Sequence, residues 1–113
     1  MDMKYTPATE LGLDWAGLVT VKTSYDWNPA TYVAGADTST ILGIEAPLWT
    51  ETVRNLTAAY FMTVPRLPAV SEVAWTPEAE RSWDDFRVRI ATHAPRWRLL
   101  GVNYFASDEV PWR

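Results

Sequence analysis

A chain of 113 residues, 48% of them hydrophobic, has the composition of one modest globular domain. Its formal net charge of −4 comes with no cluster of Lys and Arg, which argues against a nucleic-acid partner. Cysteine is absent, so disulfides, thiol nucleophiles and thiolate metal sites are removed together. No run approaches the roughly 18 apolar residues of a membrane span, so no membrane is implied. The amino terminus lacks the basic and apolar regions of a signal peptide, and this leaves the compartment open.

In chain order, Met1 to Tyr5 reads as a short strand whose carboxyl end carries Asp2 and Lys4. Pro7 and Gly12 punctuate a loop that leads to Trp15 and Gly17. Leu18 to Val21 suits either a strand or the approach to a helix. Thr23 to Trp27 predicts a short helical or turn segment, closed by the turn signal Asn28-Pro29. Residues 30–40 are small and polar, as in a connecting loop. Thr40 to Ala46 is β-compatible and mostly apolar, the pattern of a parallel strand buried on both faces, and Pro47 cannot donate to a ladder and closes it. Leu48-Trp49-Thr50-Glu51 then lies at the carboxyl end of that strand, where α/β sheets bind their ligands.

Beyond Glu51 the spacing turns helical. Leu56, Ala59, Tyr60 and Thr63 predict one face of a short helix, and Pro65 opens another whose stripe is Leu67, Val70, Val73 and Ala74. Ser82-Trp83-Asp84-Asp85 reads as a capping box opening a helix with Trp83, Phe86 and Ile90 inward. Pro95 breaks it near His93 or Ala94, and a last helix ends at Gly101. Val102 to Arg113 is read as an irregular tail.

Seven tryptophans need sorting into core and binding wall. Trp75, Trp83 and Trp97 stand at helical spacing and are expected in the core; Trp27 reads as a turn anchor and Trp112 as tail packing. Trp15 and Trp49 differ, because each follows a strand and has a carboxylate close by, Asp14 for one and Glu51 for the other. A sugar needs flat apolar walls with a few fixed hydrogen-bonding groups. Trp49 with Glu51 supplies that pairing, and Asp2 on a strand about 4.8 Å away adds an acceptor. Alternatively, Asp2 and Glu51 are the paired carboxylates of a glycosidase. The single histidine, His93, is expected to be solvated or capping, and Asn55-Leu56-Thr57 matches a glycosylation sequon at a helix start. Arg66 and Glu72 are expected to tie their helix to its neighbours. There is no glycine-rich phosphate loop and no metal-ligand cluster, so no cofactor is implied.

Gly43-Ile44-Glu45-Ala46-Pro47-Leu48-Trp49-Thr50-Glu51, followed by the run from Pro65 to Trp75, resembles the last strand and helix of the glycoside hydrolase family 20 barrel, the β-N-acetylhexosaminidases. Asp2-Met3-Lys4-Tyr5, Leu13-Asp14-Trp15-Ala16-Gly17 and Ser24-Tyr25-Asp26-Trp27-Asn28-Pro29 resemble the preceding strand and loop of the same enzymes, in the same order. The resemblance implies an α/β fold, the carboxyl-terminal fragment of a (β/α)8 TIM barrel: the last two strand-helix units over 1–75 and a helical extension and tail over 76–113. A whole barrel needs roughly 250 residues.

By resemblance, Trp49 lines an N-acetylglucosamine pocket, Glu51 and Asp2 hold the 4- and 6-hydroxyls, and Trp15 borders the 6-hydroxyl. The family's mechanism is substrate-assisted, with the 2-acetamido oxygen attacking the anomeric carbon beside an Asp-Glu pair that belongs to an upstream strand. Asp108-Glu109, the one such dipeptide here, lacks the family's preceding glycines, so no catalytic residue is assigned. The family commonly has Leu where Met1 stands, and a leucine-type codon read as a start is one origin for such a truncation. The implied activity is hydrolysis of terminal non-reducing N-acetylhexosamine from oligosaccharides or glycoconjugates, with the chain alone expected to be inactive. Its expected partners are that sugar and either the missing amino-terminal part of the barrel or a second copy. A non-catalytic sugar-binding module and one part of a split enzyme are the alternatives.

Overall fold

The computed structural model describes residues 1–112. It contains the helices α1 (Val21–Asp26), α2 (Pro29–Tyr32), α3 (Leu56–Thr63), α4 (Arg66–Trp75), α5 (Trp83–Ala91) and α6 (Ala94–Leu99). Short 3-10 turns occupy Thr38–Thr40 and Glu78–Glu80. Among the described residues, no helix is long and apolar enough to cross a membrane.

Local chemistry sets the helix starts. Thr20 and Thr23 cap α1 reciprocally, each side chain accepting from the other's backbone N–H. Asn55 caps α3 by accepting from Ala58 N at 2.8 Å, so the sequon asparagine is a helix cap. Ser82 accepts from Asp85 N at the head of α5, as its spacing predicts. Pro95 stands in the first turn of α6, and Gly101, at φ 69, follows its end.

A core of Tyr5, Val21, Tyr25, Ala69, Phe86, Ile90, Ala91 and Val110 joins the first segment to α1, α4, α5 and the tail. Phe105 stacks on Tyr5 with ring centroids 4.1 Å apart, and Trp112 donates to Ser107 O at 2.7 Å. Over 102–112 the tail, irregular as expected, is therefore packed, and Arg113 lies outside the described residues. Glu109 accepts from Lys22 N at 3.1 Å, a structural tie for the tail's acidic pair.

Three expectations change. The stripe of α4 buries Arg66, Ala69 and Val73 in place of Leu67, Val70, Val73 and Ala74, because a fully buried arginine takes the innermost position that counting apolar residues would give to a leucine. Trp75, about 200° round that helix from Val73, stands 87% exposed and is not core. On α3 the buried residues are Ala58 and Met62, while Leu56 faces out.

The two strand segments also differ from the expected ladder. Met1–Tyr5 is extended and makes one isolated parallel bridge, Met3 to Leu13, with Lys4 N donating to Leu13 O at 2.8 Å and Leu13 N to Asp2 O at 2.7 Å. Among the described residues, the backbone N–H groups from Leu42 to Thr52 make no backbone hydrogen bond, and Leu42 is fully exposed. A parallel strand needs a neighbour on each edge and a cover on each face. Nothing in the described residues supplies both.

Candidate functional site

Asp2, Trp15 and Trp49 line one cavity of about 690 Å3. Trp27, Tyr32 and Arg66 are on the same wall. Three separate stretches of sequence are thus brought onto a single concavity, as Glu51 is not: it lies two residues past Trp49, exposed, in the turn that Val53 N closes on Thr50 O at 3.1 Å.

Each wall residue is placed by its own local device. Trp15 sits one residue into the turn that Gly17 N closes on Asp14 O at 3.0 Å, and its indole is 80% exposed. The loop carrying it folds back on the first segment through Gly12, whose φ is 98° and where an added Cβ would stand 2.9 Å from Lys4 N and 3.0 Å from Asp2 O. Only glycine allows that approach. Gly12 N also donates to Thr52 Oγ1 at 3.0 Å, which ties the loop of Trp15 to the loop of Trp49 and Glu51.

Asp2 is the polar group of the cavity with an unmet requirement. Its carboxylate is largely buried, and Oδ1 has no hydrogen-bond partner. A buried carboxylate oxygen left bare costs free energy, on the order of 1–3 kcal/mol, and a hydroxyl donor arriving in the cavity would relieve it. The apolar walls suit the C–H face of a pyranose, and the bare carboxylate oxygen suits one of its hydroxyls.

Beneath the cavity lies Arg66. Its guanidinium rests on the ring of Tyr5, 3.8 Å from the ring centroid. Burial lowers its pKa, and the nearby Tyr5 and Asp2 raise it in part. Burial pushes the Tyr5 hydroxyl up to about 12, against the opposing pull of the Arg66 charge. Trp27 and Tyr32 were not legible as wall residues. Their rings meet edge to face, with centroids 6.0 Å apart, and the five-residue spacing across Asn28-Pro29 was the available hint.

Among the described residues, no group of three His, Cys, Asp or Glu side chains could hold a metal ion. His93 is exposed, its ring 5.6 Å from that of Trp97. Glu72 pairs with Arg89 at 2.5 Å and so ties α4 to α5.

The catalytic-domain profile of Glycosyl hydrolase family 20 matches residues 1–78. A β-N-acetylhexosaminidase of Cellulomonas fimi is 47% identical over 112 residues, which cover 99% of this chain and 23% of that protein. Among solved structures, the GH20 β-N-acetylhexosaminidase of Streptomyces coelicolor A3(2) superposes with a TM-score of 0.95 at 50% identity, over 99% of this chain and 23% of that one. The Streptomyces plicatus N-acetyl-β-hexosaminidase in complex with Thio-NAglucal matches with a TM-score of 0.95 at 48% identity, over 99% of this chain and 22% of that one.

Proposed function

The chain belongs to glycosyl hydrolase family 20, and we propose that it supplies part of the sugar pocket of a β-N-acetylhexosaminidase that releases terminal non-reducing N-acetylhexosamine. It spans 23% of the length of the Streptomyces coelicolor relative. Its two unladdered strand segments are therefore two staves of a (β/α)8 barrel, and the chain is a carboxyl-terminal fragment of that fold. We take 1–75 as the last two strand-helix units and 76–113 as a helical extension and tail.

One observation supports the pocket reading above others: Asp2, Trp15 and Trp49, from three stretches that match the family, share a cavity in which a carboxylate oxygen waits for a donor. In this reading Trp49 is the wall against the sugar ring, Trp15 borders its far edge, and Asp2 accepts from its hydroxyls. Glu51 joins them when the loop after Trp49 is held by a complete barrel. The acid and the acetamido-orienting carboxylate of a substrate-assisted mechanism come from outside this chain. The chain by itself has an indole wall and an acceptor but no proton donor assigned to the leaving oxygen, so it is inactive alone.

A complementation assay tests this. The purified chain is given nitrophenyl N-acetylglucosaminide alone, and then together with the Streptomyces coelicolor relative truncated before the matching segment. No turnover alone and turnover in the complex are expected, with loss of about tenfold or more in kcat/KM for Trp49→Ala. Turnover by the isolated chain, or a complex indifferent to both Trp49→Ala and Asp2→Asn, would overturn the reading.

The exposed apolar groups at Leu42, Trp49 and Val33 favour docking of the chain onto the rest of a barrel or onto a second copy. Sedimentation of the chain with and without the truncated relative separates the two: a mixed species supports the first, a dimer of the chain alone the second.

A further inference from the structure

We infer that Arg66 is a positioning residue for the sugar-binding carboxylate of Asp2, acting through the peptide groups on either side of it. The inference rests on the pocket reading proposed above and extends it to Arg66, a buried residue that borders the same cavity.

Arg66 is the first residue of α4 and is completely buried. Its Nε donates to Met62 O at 3.0 Å, one turn back, which fixes the start of the side chain. From there Nη1 donates to Met3 O at 2.7 Å and to Val19 O at 3.2 Å, and Nη2 donates to Met1 O at 3.0 Å. In an extended chain the carbonyls of residues i−1 and i+1 point to the same side. One planar guanidinium therefore grips the two carbonyls that flank Asp2. The carbonyl between them, Asp2 O, points the other way and accepts from Leu13 N at 2.7 Å.

Three consecutive peptide planes are thus held, two by Arg66 and one by the loop that Gly12 brings in. With those planes fixed, the Cα–Cβ direction of Asp2 is fixed as well, and its carboxylate has only its own rotamers left. Positioning also has an electrostatic side. Among the described residues Arg66 forms no ion pair; burial disfavours its charge, and the Asp2 carboxylate offsets this in small part at longer range. Lysine has a single ammonium on a flexible stem and cannot hold four carbonyls in one plane.

A structural arginine and a positioning arginine predict different kinetics, measured in the complemented enzyme with a nitrophenyl N-acetylglucosaminide and its 4-deoxy and 6-deoxy analogues. Arg66→Lys is expected to raise KM about tenfold for the parent sugar, the effect of one misaligned charged hydrogen bond. For the deoxy analogue that has lost the hydroxyl received by Asp2, the rise should fall below about twofold. Combined with Asp2→Asn, it should add almost nothing further. A second measurement leaves Arg66 in place: with [15N]arginine labelling, the Nη–H resonances of Arg66 should shift when N-acetylglucosamine binds, and stay put in Asp2→Asn.

Equal KM rises on all three sugars, additivity with Asp2→Asn, or Nη–H resonances blind to the sugar would overturn the assignment and leave the pocket reading intact. Should Arg66→Lys fail to fold, the resonance experiment decides alone. An Asp2→Asn enzyme with unchanged KM would instead remove the role of Asp2 and that of Arg66 with it, and the pocket reading as well if Trp49→Ala were equally without effect.

Discussion

The helical part of the chain and the segment from Val33 to Val53 are built from comparable amounts of apolar residue, yet they end in opposite conditions. Around Phe86 the aromatic rings of Tyr25 and Trp83 lie 5.0 and 5.9 Å away, with Tyr25 and Phe86 buried and Trp83 partly so. In the second segment Leu42 is fully exposed, and the amides from Leu42 to Thr52 make no backbone hydrogen bond. The difference is one of closure. A helix satisfies its own backbone and needs cover on one face only, so α1, α4 and α5 can enclose a core with what this chain contains. A central barrel strand needs two edges and two faces supplied from elsewhere.

The largest effect should come from breaking the closed side. Phe86→Ala is expected to cost about 3–5 kcal/mol, a large share of what a domain of this size has, and to leave no cooperative transition when melting is followed by circular dichroism. Its counterpart on the open side, Leu42→Ser, should change stability by less than about 0.5 kcal/mol while weakening docking in sedimentation. If both changes destabilised equally, the two regions would not be distinct in solution. Hydrogen exchange sharpens the contrast without substitution: amides of Leu42 to Thr52 should exchange at nearly the free rate, and those in the centres of α4 and α5 more slowly by about a thousandfold or more.

Alkaline pH probes the seam between the regions, where Tyr5 is buried. Its folded pKa, pushed up to about 12, exceeds the unfolded value. The neutral phenol is thus favoured by folding, so its stabilisation is complete below about pH 10 and is lost as pH rises toward 12. Tyr25 is raised in the same direction by burial, with Glu72 adding to it. Melting temperature should fall across that window, with on the order of 2–3 kcal/mol attributable to Tyr5, and Tyr5→Phe should flatten the fall. The smallest effect expected is that of Glu72→Gln. The Glu72 and Asp85 carboxylates raise the Arg89 pKa by hydrogen bonding, but the arginine is half exposed, so solvent screening leaves about 0.5 kcal/mol, less at high salt.

Part of the cavity wall was legible residue by residue. Trp15 and Trp49 stood out from the other indoles because each followed a strand-like run beside a carboxylate, and both line the cavity with Asp2. Glu51, chosen by the same reasoning, is outside the cavity wall, since two residues of turn are enough to carry a side chain away when no neighbouring strand holds the loop. Trp75 was misplaced for a related reason: helical spacing tells which residues share a face, but not which face has something to pack against. Arg66 was read as a tie between elements. That it grips the carbonyls around Asp2 was beyond reach, because a hydrogen bond across 63 residues leaves no local pattern.

By itself the sequence determined the helices after Glu51, their starts and breaks at Asn55, Ser82, Pro95 and Gly101, and the family, but not α2, whose residues read as a turn and loop. What it determined depends on interactions within a few residues or on motifs kept in order. Tertiary structure alone decided which faces are covered, which residues meet at the cavity, and that the apolar run after Thr40 stands without a ladder. Burial and strand pairing are properties of neighbours distant in the chain, and for this run the described residues do not supply them.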